Sequence, residues 1–222
     1  MLFSLILVCR NVKTMKKINF IRKFIETQQC RKLFYQASSV ISETDLLQGF
    51  SLQKNFISQI DESSIVNEVN KQLMRRKYNT GHWDGAIVLY RELEKNEWNR
   101  ENTLIMDRFQ RHVFDHPSSC LSATHVLDLH ENGYIKPHID SIQFCGELVC
   151  GISLLSDAVM RLQLDNDNYV NVHLPRLSLY ILSHNIRYNY THEILPNPSV
   201  ILDKSVFRTR RITLMKRSLP NK

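Results

Sequence analysis

The chain has 222 residues, 43% hydrophobic and 23% charged, the balance of an ordinary globular domain. Twenty-nine Lys and Arg against 22 Asp and Glu give a net charge of +7, a hint of nucleic-acid or membrane binding. No apolar run approaches the ~20 residues of a transmembrane helix, and five cysteines without a C-x-x-C pair argue against a disulfide scaffold or zinc knuckle.

The charge is unevenly placed. Residues 1–40 hold eight basic residues and one acid; residues 41–203 hold 14 and 21; residues 204–222 hold seven and none. The first segment has the composition of a mitochondrial targeting segment, with Ile18, Phe20, Ile21, Phe24 and Ile25 on one helical face. It implies the mitochondrial import machinery as a partner and leaves residues 41–222 as one domain.

Residues 55–59 read as a turn into a helix, with Ser58 and Asp61 resembling a capping box. Ile65, Val69 and Leu73 then mark one buried face. His82-Trp83-Asp84-Gly85 and Tyr90-Arg91-Glu92-Leu93 read as connecting segments. A second helix spans residues 100–114, with Ile105, Phe109 and Val113 inward. From residue 122 onward the texture is β-rich. Apolar runs at 126–129, 134–139, 148–155, 160–164, 169–174, 177–182 and 212–214 are separated by Gly, Asn, Asp and Pro. The expected fold is mainly β (α+β): a jelly-roll, or double-stranded β-helix, core with flanking N-terminal helices.

Within that core, His138-Ile139-Asp140 is the chemical feature. Residues two apart on a strand share a face, so His138 and Asp140 can offer a nitrogen and a carboxylate oxygen to one metal. A third ligand must come from another strand. His192 is one candidate; His173 and His184 are rivals. Two histidines and a carboxylate form the facial triad of non-haem Fe(II) oxygenases, which leaves positions open.

Strand parity in Arg211-Ile212-Thr213-Leu214-Met215-Lys216-Arg217 puts Arg211, Thr213, Met215 and Arg217 on one face. Inward arginines in a barrel are costly unless they meet anions. A guanidinium fork suits a carboxylate, and a dicarboxylate such as 2-oxoglutarate fits. Tyr180 can add a phenol. The alternative is a solvated basic terminus.

Several blocks together resemble a known family: His125-Val126-Leu127-Asp128-Leu129, Gly133-Tyr134-Ile135-Lys136-Pro137-His138-Ile139-Asp140, Thr191-His192-Glu193, and Arg210-Arg211-Ile212 through Arg217-Ser218. They look like the AlkB-type Fe(II)/2-oxoglutarate-dependent dioxygenases, and among them the mitochondrial branch. The resemblance runs over about residues 56–220. It implies His138, Asp140 and His192 as iron ligands, Arg211 and Arg217 as the arginines holding 2-oxoglutarate, and Tyr180 as a tyrosine on the co-substrate. Thr213 and Met215 stand where the family has Asn and Thr.

The implied cofactors are Fe(II), 2-oxoglutarate and dioxygen. The implied activity is oxidation of a substrate C–H bond coupled to oxidative decarboxylation of 2-oxoglutarate, in the mitochondrial matrix. The acidic residues 41–203 give little support for phosphate binding, so a protein or small-molecule substrate is expected before duplex nucleic acid. A mitochondrial RNA demethylase and a non-catalytic partner-binding relative are the alternatives. The resemblance also implies links to alkylation-induced programmed necrosis and fatty-acid metabolism.

Overall fold

The computed structural model describes residues 35–37, 43–81 and 85–220. Most of the expected targeting segment, and His82-Trp83-Asp84, lie outside them. The described strands are β1 (Tyr35–Ala37), β2 (Phe50–Gln53), β3 (Ile87–Lys95), β4 (Thr124–His138), β5 (Val149–Leu154), β6 (Ala158–Gln163), β7 (Tyr169–Leu174), β8 (Leu179–Leu182), β9 (Thr191–Ile194), β10 (Ser199–Ile201), β11 (Lys204–Val206) and β12 (Arg211–Arg217). The helices are α1 (Glu43–Gly49), α2 (Gln59–Leu73), α3 (Arg100–Val113) and α4 (His184–Asn189). None is long and apolar enough to cross a membrane.

Among the described residues, ten strands form one antiparallel sheet in the order β1-β7-β6-β9-β4-β12-β5-β8-β2, with β3 on the other edge of β4; β10 and β11 make a separate hairpin. Strand β4 organises the whole. Its first half pairs with β12 and its last residues with β9, both on one edge. The sheet therefore splits at β4 into two halves that roll over a shared interior, which is the expected jelly roll.

The sequence suggested two strands broken at Asn132-Gly133, but the structure has one bent strand. The bend faces a bulge in β3, where Leu89 has φ 53° and the register shifts between Val88 and Tyr90. A Cβ at Gly133 would stand 2.5 Å from the Leu89 carbonyl oxygen, so only glycine allows this approach. Strand β3 takes the place of the expected connecting segment at Tyr90-Arg91-Glu92-Leu93. Its Arg91 is buried because Asp128 of β4 accepts from Arg91 Nε at 2.7 Å and from Arg210 Nη2 at 2.7 Å.

Helix α2 begins where the sequence indicates. Ser58 Oγ accepts from the Asp61 amide at 3.0 Å, and Asp61 Oδ2 accepts from the Ser58 amide at 3.1 Å. Asn99 caps α3 by accepting from the Asn102 amide at 2.8 Å. Ile65, Val69, Leu73, Ile105, Phe109 and Val113 form one apolar layer over Val126, Cys150, Ile152, Leu154, Leu179, Ile212 and Leu214. Each fully buried aliphatic or aromatic side chain in such a layer stabilises by roughly 1.5–3 kcal/mol. Glu62 of α2 pins the layer down: it accepts from the Leu155 amide at 2.7 Å and from Arg176 Nε at 2.9 Å. The helices thus cover the outer face of β4, β5, β8 and β12, and the opposite face of the same strands is free to build a site.

Candidate active site

That opposite face lines an open pocket of about 120 Å³. Residues from β4, β6, β8, β9 and β12 all reach it, so both halves of the sheet contribute. Strand β12 presents Arg211, Thr213, Met215 and Arg217 to the pocket, as parity indicated, while Ile212 and Leu214 face the helices.

At one end of the pocket, His138 closes β4 directly opposite His192 of β9. Their rings lie 4.3 Å apart between centroids, tilted by 49°. The chain leaves β4 after His138 and turns, and the Asp140 carboxylate returns to 3.9 Å from His138 Nε2. One ligand atom from each of His138, Asp140 and His192 lies within 4.8 Å of the others. His138 Nδ1 stands 2.9 Å from the Lys136 carbonyl oxygen. A carbonyl only accepts, so Nδ1 carries the proton and Nε2 keeps its lone pair for a metal. The rival histidines are elsewhere. His173 pairs with Asp157 at 2.8 Å, and His184 Nδ1 contacts Ser183 Oγ at 3.0 Å.

The surroundings of Asp140 and His192 favour deprotonated donors. Burial alone would raise the Asp140 carboxyl, yet Arg217 and the two histidines hold it well below the usual carboxylate range. Arg217 Nε donates to Asp140 Oδ2 at 3.1 Å. Burial, with His138 alongside, pushes the His192 imidazole down to about 3. The neutral His192 imidazole and the Asp140 carboxylate, with Nε2 of His138, suit a divalent first-row metal.

At the deep end sits Arg211, 1% exposed. Its Nε donates to Ser153 Oγ at 3.0 Å, but Nη2 has no partner among the described residues, and neither has Thr213 Oγ1 beside it. Burial pushes the Arg211 guanidinium down, and the Tyr180 phenol offsets part of that. Tyr180 is buried and its ring lies on Gly151, its register partner in β5. A Cβ at Gly151 would fall 2.6 Å from the Tyr180 hydroxyl. A buried cation with an unpaired donor is costly unless an anion completes it. The arrangement fits a carboxylate at this end.

Sequence reasoning placed Arg217 on the co-substrate. Arg217 lines the pocket, and its guanidinium is also engaged with Asp140 and, at 3.4 Å, with His125 Nδ1. His125 in turn contacts Glu92 Oε2 at 2.7 Å. Reasoning from sequence also missed Arg187 of α4. This arginine is 2% exposed and donates to the main-chain carbonyls of Asp140, Cys145 and Gly146. Main-chain acceptors leave no trace in a sequence pattern.

No family model matches the chain. The chain is 43% identical over 168 residues to the alpha-ketoglutarate-dependent dioxygenase alkB homolog 7, mitochondrial, of Mus musculus, covering 74% of this chain and 76% of that one. It is 41% identical over 172 residues to the Bos taurus protein of the same name, covering 76% and 78%. Two solved structures share the fold. A Pseudomonas putida prolyl-4-hydroxylase has a TM-score of 0.56 at 13% identity, over 81% of this chain and 97% of that one. A Trichoplax adhaerens prolyl hydroxylase, solved with a hypoxia inducible factor peptide fragment, has a TM-score of 0.56 at 11% identity, over 93% of each chain.

Proposed function

Because the chain belongs to the AlkB-type Fe(II)/2-oxoglutarate-dependent dioxygenases, in the group of the mitochondrial alkB homolog 7 proteins, we propose that His138, Asp140 and His192 hold its iron and that Arg211, Thr213, Arg217 and Tyr180 hold 2-oxoglutarate. Fe(II), 2-oxoglutarate and dioxygen are its cofactor and co-substrates. When bound, the iron supplies dioxygen activation coupled to oxidative decarboxylation of 2-oxoglutarate.

The chain's own residues do the rest. Arg211 pairs with the far carboxylate of the co-substrate, using the Nη2 donor that is otherwise unpaired. This unpaired donor is the observation that carries the reading. Thr213 and Tyr180 add hydroxyl contacts at the same end. Arg217 keeps Asp140 ionised and aimed, and lines the same pocket. Lys136 fixes the His138 tautomer through its carbonyl.

The substrate in this reading is a protein or other non-duplex molecule. The loop after β4, residues 139–148, has no Lys or Arg and leaves Ile142 and Phe144 each 65% exposed beside Asp140. An apolar lip, on a domain whose residues 41–222 carry 21 basic and 21 acidic side chains, suits a side chain or small molecule better than a phosphate backbone. Membership of this group makes the protein mitochondrial, and the basic residues 1–40 support import to the matrix, with residues 41–222 as the single catalytic domain. The links to alkylation-induced necrosis and fatty-acid metabolism rest on the family resemblance alone. A binding titration with methylated single-stranded RNA tests the substrate class. Dissociation constants weaker than micromolar at physiological salt are expected; micromolar binding with a steep salt slope would favour the demethylase reading.

A further inference from the structure

We infer that Arg187 is the positioning residue that fixes the loop carrying Asp140 against the element carrying His192, so that the triad is assembled before any metal arrives. The inference rests on the reading of His138, Asp140 and His192 as the metal site.

Arg187 lies in α4, which runs directly into β9 and His192. Its side chain is 2% exposed. Nη1 donates to the Asp140 carbonyl at 2.9 Å, Nε to the Gly146 carbonyl at 3.1 Å and Nη2 to the Cys145 carbonyl at 3.2 Å. All three acceptors belong to residues 139–148, and no carboxylate pairs with Arg187 among the described residues. The planar fork therefore grips one loop through its backbone, a geometry that an ammonium cannot reproduce.

The rest of the loop is held from its C-terminal side, where Cys145 is buried, Leu148 packs against the core and the Leu148 amide donates to Ser218 Oγ at 2.8 Å. Inside it, the Phe144 and Cys145 amides both donate to the Ser141 carbonyl, at 3.3 and 2.9 Å. Its far end is tied where the Gly146 amide donates to the Ser218 carbonyl at 2.9 Å, and a Cβ there would strike the Leu219 carbonyl oxygen at 2.0 Å. Ile142 and Phe144, between Asp140 and those contacts, lie out in solvent. On the Asp140 side, Arg217 holds the carboxylate and Arg187 holds the main chain. One side chain couples two proposed ligands that are distant in sequence.

The test uses the full chain and Co(II), whose d–d absorption reports both affinity and ligand geometry. Wild type binds one Co(II) and Asp140→Ala does not; if Asp140→Ala binds like wild type, the metal-site reading fails, whatever Arg187 does. With that established, Arg187→Gln weakens Co(II) by about 10–100-fold, the range for partners that orient metal ligands, and changes the spectrum at saturation. Arg187→Lys falls between. Arg176→Met, which breaks the unrelated Glu62 clamp, lowers stability and leaves Co(II) affinity unchanged. Folded Arg187→Gln or Arg187→Lys with wild-type affinity and spectrum overturns the inference. Hydrogen exchange of the metal-free wild type decides it without any variant. The Phe144, Cys145 and Gly146 amides are protected before metal is added; exchange at open-loop rates until Co(II) binds would contradict preassembly.

Discussion

Arg211→Met separates stability from co-substrate binding. In the protein without co-substrate, Arg211 is a buried cation that meets only hydroxyls, Ser153 Oγ through Nε and the Tyr180 phenol, and has an unpaired Nη2. Methionine fills similar space without charge. The substitution strands Ser153 Oγ, at a cost of about 1–3 kcal/mol. Against that, replacing a poorly compensated buried charge by a packed apolar side chain gains about 1–4 kcal/mol. The two nearly cancel, so urea unfolding of the metal-free variant gives a stability equal to or slightly above wild type. The co-substrate responds differently. Its far carboxylate now meets no cation in a buried site, which costs about 2–5 kcal/mol, or about 30- to 5,000-fold in affinity. Anaerobic calorimetric titration of 2-oxoglutarate into metal-loaded protein reads this directly. A variant that loses about 3 kcal/mol of stability or more, as a core truncation does, yet binds 2-oxoglutarate like wild type would refute the assignment of Arg211 to the co-substrate.

Gly151→Ala brings a methyl group against the Tyr180 hydroxyl, so it raises the KM for 2-oxoglutarate more than Tyr180→Phe does; steady-state succinate release compares them. Phe109→Ala opens the helix layer beneath the sheet and costs about 3–5 kcal/mol in chemical denaturation, with KM for 2-oxoglutarate unchanged in the folded fraction. Asp61 and Asp157 titrate below the ordinary value: Arg108 and Ser58 outweigh the burial of Asp61, and a His173 hydrogen bond lowers Asp157. Their folded-state values are depressed, so the stability they contribute is complete above the unfolded value near 4 and fades as pH falls through the folded one. Thermal melts of Asp61→Asn and Asp157→Asn therefore show a shallower loss of stability between about pH 4 and pH 2 than wild type; identical acid limbs would argue against it.

Where local chemistry and periodicity agree, the sequence was a sufficient guide. The Ser58–Asp61 box, the apolar stripes of α2 and α3 and the alternation along β12 each depend on residues within a few positions of one another. His138 and Asp140 also meet, but through a turn after β4 ends at His138 rather than by sharing a strand face. What stayed hidden depends on distant partners. Strand β3 carries Arg91 and Glu92 and reads as solvated, because the Asp128 that buries Arg91 is on another strand. The bend at Gly133 depends on a bulge in β3. Helix α4 is short, and Arg187 spends its hydrogen bonds on carbonyls, which every residue has. The choice of His192 over His173 and His184 needed the β4–β9 register to become visible in geometry. The initial charge of +7 also reads differently: part lies in residues 1–40, and at least two of the arginines in 204–222 point into the pocket.

Every proposed role of the pocket depends on the metal centre. Conversion of carbon-labelled 2-oxoglutarate to succinate, measured with one equivalent of Fe(II) per chain in air, tests it most directly across five single alanine variants. Turnover is lost in His138→Ala, Asp140→Ala and His192→Ala and kept in His173→Ala and His184→Ala. Undiminished turnover in any of the first three, or its loss in His184→Ala with the fold intact, would contradict the assignment.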